Sequence, residues 1–171
     1  MSLYRLLDRA QRMAPGAAAI ARGERVTHSF ASLADRAARL AATLRGGLAL
    51  AAQDRVAILM KNAPAYFEVL FACWRAGLAV VPINSKLHPK EVTFILGDCG
   101  ARAAFASPEL ISVIEAAKPE APDLAYAYSA DTAEYEKLFA AEPYAGRGAA
   151  AGDLAWLFYT SGTTGRPKGA M

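Results

Sequence analysis

The residues best suited to chemistry stand together in the string TSGTTGRPKG, residues 160–169. Four of its side chains carry hydroxyl groups that can donate hydrogen bonds: Thr160, Ser161, Thr163 and Thr164. Three glycines allow the main chain to approach a ligand closely: Gly162, Gly165 and Gly169. Lys168 adds a mobile positive charge just after the restraining ring of Pro167. Because successive backbone N–H groups in such a loop can converge on an anion, the string predicts a site for an oxyanion with several negative charges, such as the β- and γ-phosphates of ATP.

The position of the lysine separates this string from other phosphate loops. The Walker A motif of kinases and GTPases places its Lys directly after Gly and before Ser or Thr. Lys168 instead stands between Pro167 and Gly169, which argues against that class. The string is not a G-x-G-x-x-G dinucleotide fingerprint either. A flexible surface loop is the plainer alternative for any cluster of Ser, Thr and Gly, but the ordered succession of strand, hydroxyl pairs, glycines and Pro-Lys-Gly favours phosphate binding.

The elements that must hold this loop are predicted from the spacing of apolar residues. The run LAWLFYT predicts a strand that leads directly into the loop. Four earlier strands are predicted in residues 54–60, 79–84, 102–106 and 124–128. Helical spacing is present in residues 32–44, 64–77, 89–100, 107–118 and 131–141. The strand segments are continuously apolar, as in parallel sheets covered on both faces, so we expect an α/β fold with a mostly parallel sheet between two helical layers, αβα.

Helix ends are predicted from capping residues. We expect Ser32 to cap the first of these helices and Ser107 to cap the fourth. The pair Asp131 and Glu134 matches the spacing of a capping box at the last helix. Gly77 is expected to end the helix that Pro64 opens, and Phe67 to lie on that helix's apolar face together with Leu70, Phe71 and Trp74.

The domain organisation follows from the same pattern. The chain of 171 residues is short enough for one domain, and we expect a single α/β subdomain over residues 1–171. Residues 142–153, EPYAGRGAAAGD, are rich in Gly and Ala and lack periodicity. They predict a linker between the last helix and the strand that carries the loop.

Composition excludes several functional classes. The chain holds 19 Lys and Arg against 16 Asp and Glu, a net charge of +3 with no basic stripe, so no nucleic acid partner is expected. The most apolar window, residues 65–84, is interrupted by Glu68, Arg75 and Pro82, which argues against a transmembrane segment.

The cysteines and histidines give no metal pattern. Cys73 and Cys99 are isolated and predict two buried, reduced thiols, so a cytoplasmic location is expected. His28 and His88 are also isolated and are interpreted as surface or turn residues. We therefore expect no metal ligands in these residues.

The string YTSGTTGRPKGAM closely resembles the phosphate-binding signature of the adenylate-forming, or AMP-binding, enzyme superfamily. This superfamily includes acyl-CoA synthetases, peptide-synthetase adenylation domains and firefly luciferases. The match runs without a gap from Tyr159 to Gly169. Weaker resemblance extends through residues 26–44, 54–84 and 87–106. Gln53 is one departure, since the family often places Gly there, and it is expected to alter a turn.

The resemblance implies a two-step reaction. A carboxylate attacks the α-phosphate of ATP to give an acyl-adenylate and pyrophosphate, and a thiol, often of coenzyme A, then takes the acyl group. Carried over residue by residue, the ATP-phosphate contacts are Thr160, Ser161, Gly162, Thr163, Thr164, Gly165 and Lys168. Family members are longer, and their acid pocket, Mg²⁺-binding acidic residue and catalytic lysine follow this loop. We therefore expect an N-terminal portion of a synthetase, with no catalytic residue of its own and no activity by itself.

The segment CWRAGLAVVPINSKLHPKEVTFILGDCGARAAFA is more similar to the acyl-CoA synthetase branch than to peptide-synthetase adenylation domains. That similarity implies a fatty, aryl or short dicarboxylic acid, ATP with Mg²⁺, and coenzyme A as the ligands of the complete enzyme. Two alternatives stay open: the adenylation domain of a peptide synthetase, and a non-catalytic nucleotide-binding module.

Overall fold

The computed structural model describes residues 3–146, 148–160 and 167–170. Of the seven predicted ATP-phosphate contacts, Thr160 and Lys168 are therefore described. The other five lie outside the described residues: Ser161, Gly162, Thr163, Thr164 and Gly165.

The N-terminal part packs a short helix and a hairpin against a longer helix. These elements are α1 (Tyr4–Met13), β1 (Ala18–Arg22), β2 (Arg25–Ser29) and α2 (Phe30–Ala42). Strands β1 and β2 pair antiparallel and form their own two-stranded sheet. Ser29 caps α2, because its hydroxyl accepts from the backbone N–H of Ser32 while the Ser32 hydroxyl accepts from the Ser29 N–H. The predicted cap at Ser32 is thus wrong by three residues, since Ser32 is the return partner of the cap.

A four-stranded parallel sheet forms the centre of the fold. Its strands are β3 (Arg55–Leu59), β4 (Ala79–Pro82), β5 (Ala101–Ala106) and β6 (Tyr126–Ser129). They lie in the order β4-β3-β5-β6, and every pairing between neighbours is parallel. This confirms the parallel α/β fold that the continuous apolar runs predict.

Helices cover the two faces of this sheet. They are α3 (Pro64–Ala76), α4 (Pro89–Asp98), α5 (Ile111–Ala117) and α6 (Ala133–Lys137). Alternate residues of β3 serve opposite faces: Val56 and Ile58 pack in one core with α2 and α3, whereas Ala57 and Leu59 pack in the other with α4 and α5. The layers are therefore helix, sheet, helix, as expected.

Three local predictions differ from the structure. Phe67 is 44% exposed rather than part of the packed face of α3. Ser107 makes no side-chain cap, because its hydroxyl accepts from the Lys61 N–H instead, and the chain continues as a 3₁₀ turn before α5. Thr132, not Asp131, caps α6, with its hydroxyl accepting from the Tyr135 N–H. Gly77 ends α3 in the left-handed conformation, with φ of 75°, as predicted.

The described residues of the segment 142–153 form no helix or strand, but hydrogen bonds connect the segment to helices α2 and α3. The Tyr144 N–H donates to the Ala38 carbonyl at 2.9 Å, and Arg75 Nε donates to the Tyr144 carbonyl at 3.2 Å. The Ala149 N–H donates to the Trp74 carbonyl at 3.2 Å. These contacts fix the path of the chain from α6 to the strand that leads into the loop.

Both cysteines are buried free thiols, as predicted. Within residues 3–146, 148–160 and 167–170, no helix combines the length and the apolar character that crossing a bilayer requires.

Candidate functional site

The two described ends of the TSGTTGRPKG string face each other across a hairpin. Strand β7 (Phe158–Thr160) pairs antiparallel with β8 (Lys168–Ala170). We call these six residues the stem. Thr160 stands directly opposite Lys168, and both side chains are exposed. The stem therefore brings a hydroxyl donor and a cation together at the base of the loop.

Lys168 is suited to meet an anion. Within the part of the chain that the structure describes, it forms no ion pair, whereas Lys61 and Lys118 are each paired with a glutamate. An exposed ammonium group at the mouth of a loop can neutralise phosphate charge without first losing a protein carboxylate. This chemistry fits the triphosphate of ATP.

The chain enters the stem along the edge of the parallel sheet. The Val80 N–H donates to the Ala155 carbonyl at 3.0 Å, and the Leu157 N–H donates to the Val80 carbonyl at 2.8 Å. These two hydrogen bonds pair Trp156 with Val80 in a parallel bridge. The chain at Trp156 therefore lies beside the edge strand β4, where a fifth strand of the sheet would be. The predicted strand over residues 154–160 is thus divided between this bridge and β7.

Side chains reinforce the same attachment. Trp74 Nε1 donates to the Ala155 carbonyl at 3.0 Å, and its ring meets Trp156 edge to face at 4.8 Å between centroids. An edge-to-face pair of this kind adds about 0.5–1.5 kcal/mol beyond the area it buries. Helix α3 therefore holds the strand that carries the loop.

Tyr159, the first residue of the signature, attaches the stem to helix α4. Its hydroxyl donates to Asp98 Oδ2 at 2.5 Å. Burial, and then this hydrogen bond, raise the pKa of Tyr159 above its ordinary value, so the hydroxyl keeps its proton. Sequence reasoning did not identify Asp98, because residues 61 positions apart have no spacing signal that links them.

Gly169 lets β8 lie close to this tyrosine. A Cβ at position 169 would stand 3.1 Å from Leu157 Cδ1 and 3.3 Å from Tyr159 Cζ, closer than most Cβ contacts in proteins. Gly169 therefore allows the two strands of the stem to pack closely, in addition to the close approach to a ligand that the sequence predicts for it.

A second polar cluster lies away from the stem, around a buried carboxylate. Glu68 of α3 is 3% exposed. Arg36 Nε donates to its Oε1 at 2.5 Å, and Tyr135 Oη donates to its Oε2 at 2.6 Å. His28 Nε2 lies 2.9 Å from Oε1. The interpretation of His28 as a surface or turn residue is therefore wrong, whereas His88 is a turn residue that caps α4.

The partners of Glu68 come from three elements, β2, α2 and α6, so the cluster joins these three to α3. Arg36 also binds Glu136 of α6 through two hydrogen bonds of 3.0 and 2.9 Å, and its guanidinium lies 3.7 Å from the centre of the Phe139 ring. Burial lowers the pKa of Arg36, but hydrogen bonds to Glu136 and Glu68 outweigh it, so the net pKa is raised. Burial beside Glu68 raises the pKa of Tyr135.

A cavity of about 310 Å³ opens beside this cluster. Its polar lining consists of His28, Arg36, Glu68, Asp131, Tyr135 and Glu136. Both oxygens of Glu68 already accept hydrogen bonds from protein groups. Among the described residues, no group of three or more His, Cys, Asp or Glu could hold a metal ion. The cluster therefore acts as a buried ion-pair network that joins four elements.

Comparisons with known proteins relate this sequence to a family of AMP-binding enzymes and to proteins named as CoA synthases or CoA ligases. The sequence matches the family described as AMP-binding enzyme over residues 7–171. It is 38% identical to a feruloyl-CoA synthase of Amycolatopsis sp over 95% of this chain and 31% of that protein. It is 33% identical to a 4-hydroxybenzoate–CoA/benzoate–CoA ligase of Rhodopseudomonas palustris over 84% of this chain and 28% of that protein.

A solved structure supports the same conclusion. The Mycobacterium tuberculosis fatty acyl CoA synthetase superposes with a TM-score of 0.85 at 28% identity, over 98% of this chain and 34% of that one. This chain spans about a third of the length of the relatives it matches. The family match covers almost all of its residues and includes the signature loop. The chain belongs to the AMP-binding enzyme family.

Proposed function

We propose that this chain is the N-terminal portion of an ATP-dependent acyl-CoA synthetase. The observation that carries the proposal is the stem, which sets Thr160 opposite Lys168 at the two ends of a family signature rich in hydroxyl groups. Membership of the AMP-binding family and similarity to proteins named as CoA ligases or synthetases support it.

In the first step, a carboxylate oxygen of the acid attacks the α-phosphorus of ATP. The bond from the α-phosphorus to the bridging oxygen breaks, and pyrophosphate leaves. The proposed role of the loop is to hold the β- and γ-phosphates and stabilise the charge that grows on this leaving group. The proposed contacts are Thr160, Ser161, Gly162, Thr163, Thr164, Gly165 and Lys168. Holding the leaving group also fixes the α-phosphate for attack.

In the second step, the thiol of coenzyme A attacks the acyl carbon, and AMP leaves. The relatives named for CoA products support coenzyme A as the acceptor. We also propose that Mg²⁺ accompanies ATP, with its protein ligands supplied from outside the described residues. The residues of this chain contribute phosphate binding, so we expect no adenylation by these 171 residues alone.

The acid is proposed to be an aromatic or fatty carboxylic acid. Two reported relatives are named for aromatic acids and one structural neighbour for fatty acyl groups. The buried free thiols Cys73 and Cys99 are compatible with a reducing cytoplasm, which we propose as the location.

The test is acid-dependent exchange of pyrophosphate into ATP by the full-length protein that contains this chain. A panel of benzoic, cinnamic and fatty acids should reveal exchange with at least one. Lys168→Met should slow adenylate formation roughly 10- to 1,000-fold, the scale on which loss of one transition-state donor acts.

Lys90→Met is the matched control, because Lys90 is an exposed lysine on α4. It should leave the exchange rate unchanged. Equal rates of adenylate formation in the wild type and Lys168→Met would contradict the proposed phosphate-binding role of Lys168. Absence of pyrophosphate exchange with every acid would reject the proposal that the full-length protein is a synthetase.

A further inference from the structure

The hydrogen bond between Tyr159 and Asp98 links the stem to helix α4, which carries none of the proposed phosphate contacts. We infer that Asp98 is a positioning residue for the phosphate-binding loop and that it acts through Tyr159. The inference rests on the proposed function, since it concerns how the same loop is held.

The stem geometry gives the first argument. Side chains alternate along a strand, so Tyr159 turns toward α4 while its neighbour Thr160 faces the other way. Tyr159 pairs with Gly169, and Thr160 pairs with Lys168. Fixing Tyr159 therefore fixes the backbone positions of both described phosphate-binding candidates.

The packing of Tyr159 gives the second argument. Its ring lies against the core that α4 and α5 form, together with Leu157. Gly169 leaves room for the ring from the other strand. Packing therefore places the ring, and its hydroxyl donates to Asp98 Oδ2 at 2.5 Å in a bond that lies at the exposed surface.

The position of Asp98 gives the third argument. It is the last residue of α4, and the last turn of that helix holds no basic residue. The helix dipole disfavours a carboxylate at a helix C-terminus, so Asp98 gains nothing from its own helix. The Arg55 side chain is engaged nearby with the carbonyls of Cys99 and Gly100, at 2.6 and 3.1 Å. What Asp98 provides is an acceptor for the stem.

The experiment measures the KM for ATP and the KM for the acid in the full-length protein. Tyr159→Phe and Asp98→Ala should each raise the KM for ATP about tenfold, the size expected when one charge-assisted hydrogen bond is lost. The KM for the acid should stay within about twofold of the wild type, because the ligand proposed for the loop is ATP. A purely structural role would reduce the amount of active enzyme and leave the KM for ATP unchanged.

Conservative and double variants sharpen the result. Asp98→Asn keeps an oxygen that can accept from Tyr159 but loses the negative charge, so its KM for ATP should fall between those of the wild type and Asp98→Ala. The double variant Tyr159→Phe/Asp98→Ala should be no worse than either single variant, because both remove the same bond. Tyr126→Phe, on β6 at the far edge of the sheet, is the control and should leave the KM for ATP unchanged.

Additive effects in the double variant, or an unchanged KM for ATP in Tyr159→Phe, would overturn the inference. If the wild type shows no pyrophosphate exchange with any acid, the proposed function is rejected. The attachment of the stem to Asp98 is then tested independently, by amide hydrogen exchange of the stem in the same protein. Faster exchange at Thr160 and Lys168 in Tyr159→Phe would support the attachment, and unchanged exchange would overturn it.

Discussion

The side-chain oxygen of Gln53 accepts a hydrogen bond from the Leu154 N–H at 2.8 Å, although the two residues are 101 positions apart. Leu154 begins the strand segment that leads into the stem. Gln53 itself adopts a left-handed backbone conformation with φ of 67°. Its N–H donates to the Gly77 carbonyl at 2.8 Å. Gln53 therefore adds an attachment point for the loop-bearing strand.

Replacement of Gln53 by Gly should have two opposite effects on stability. It relieves the left-handed backbone, which disfavours a non-glycine residue by about 1–2 kcal/mol, and it removes the bond to Leu154, which contributes about 1 kcal/mol. We expect the free energy of unfolding to change by less than about 1 kcal/mol, while the Leu154 amide exchanges faster. Hydrogen exchange with site resolution measures this.

The control for that variant is Gln53→Glu, which keeps an oxygen at the same place. Its Leu154 amide should remain as protected as in the wild type. Equal protection of Leu154 in Gln53→Gly would mean that the side chain does not hold the strand.

Removal of the Glu68 carboxylate should destabilise the fold strongly. Glu68→Ala leaves the buried Tyr135 hydroxyl without its acceptor and Arg36 with Glu136 alone, and an unsatisfied buried polar group costs about 1–3 kcal/mol. Urea unfolding followed by tryptophan fluorescence measures the loss, because the chain has two tryptophans, Trp74 and Trp156.

Glu109→Ala provides the comparison for Glu68. Glu109 pairs with Lys61 at 2.8 Å on the exposed surface. Loss of this ion pair in Glu109→Ala should leave the urea midpoint of unfolding unchanged, since exposed ion pairs contribute little to stability. Similar midpoints for the two variants would contradict the structural role of the Glu68 cluster.

Alkaline pH should weaken the fold partly through Cys99. Burial raises the pKa of the Cys99 thiol from 9.0 to about 11. Below pH 9 the thiol is protonated in both states and contributes no pH dependence. Between pH 9 and 11 the unfolded state loses this proton while the folded state retains it, so the free energy of unfolding falls as pH rises.

The variant Cys99→Ala removes this contribution. Between pH 8 and pH 11 the wild type should lose about 2 kcal/mol of stability relative to Cys99→Ala. Urea unfolding at several pH values measures it. A difference that stays constant across this range would mean that Cys99 does not titrate on unfolding.

Much of the fold could be predicted because local patterns carry it. The runs 54–60 and 79–84 are continuously apolar, and strands β3 and β4 are buried on both faces by α3 and α4. Pro64 and Gly77 mark the start of α3 and the residue that ends it, because each has a backbone preference that needs no distant partner. The cap of α2 was misplaced because Ser29 and Ser32 have similar chemistry, and only the path of the chain from β2 decides which one caps.

The candidate site likewise has features that the sequence predicts and contacts that only the tertiary structure shows. The sequence by itself determined the family and the parallel sheet, and it predicts a phosphate ligand for the signature loop, because hydroxyls, glycines and Lys168 are contiguous and their chemistry is local. Only the tertiary structure decided that Asp98 holds Tyr159, that Gln53 holds Leu154, and that Glu68 joins four elements. Each of those contacts spans at least 32 residues, and a contact between distant residues is set by packing of whole helices on the sheet rather than by any spacing along the chain.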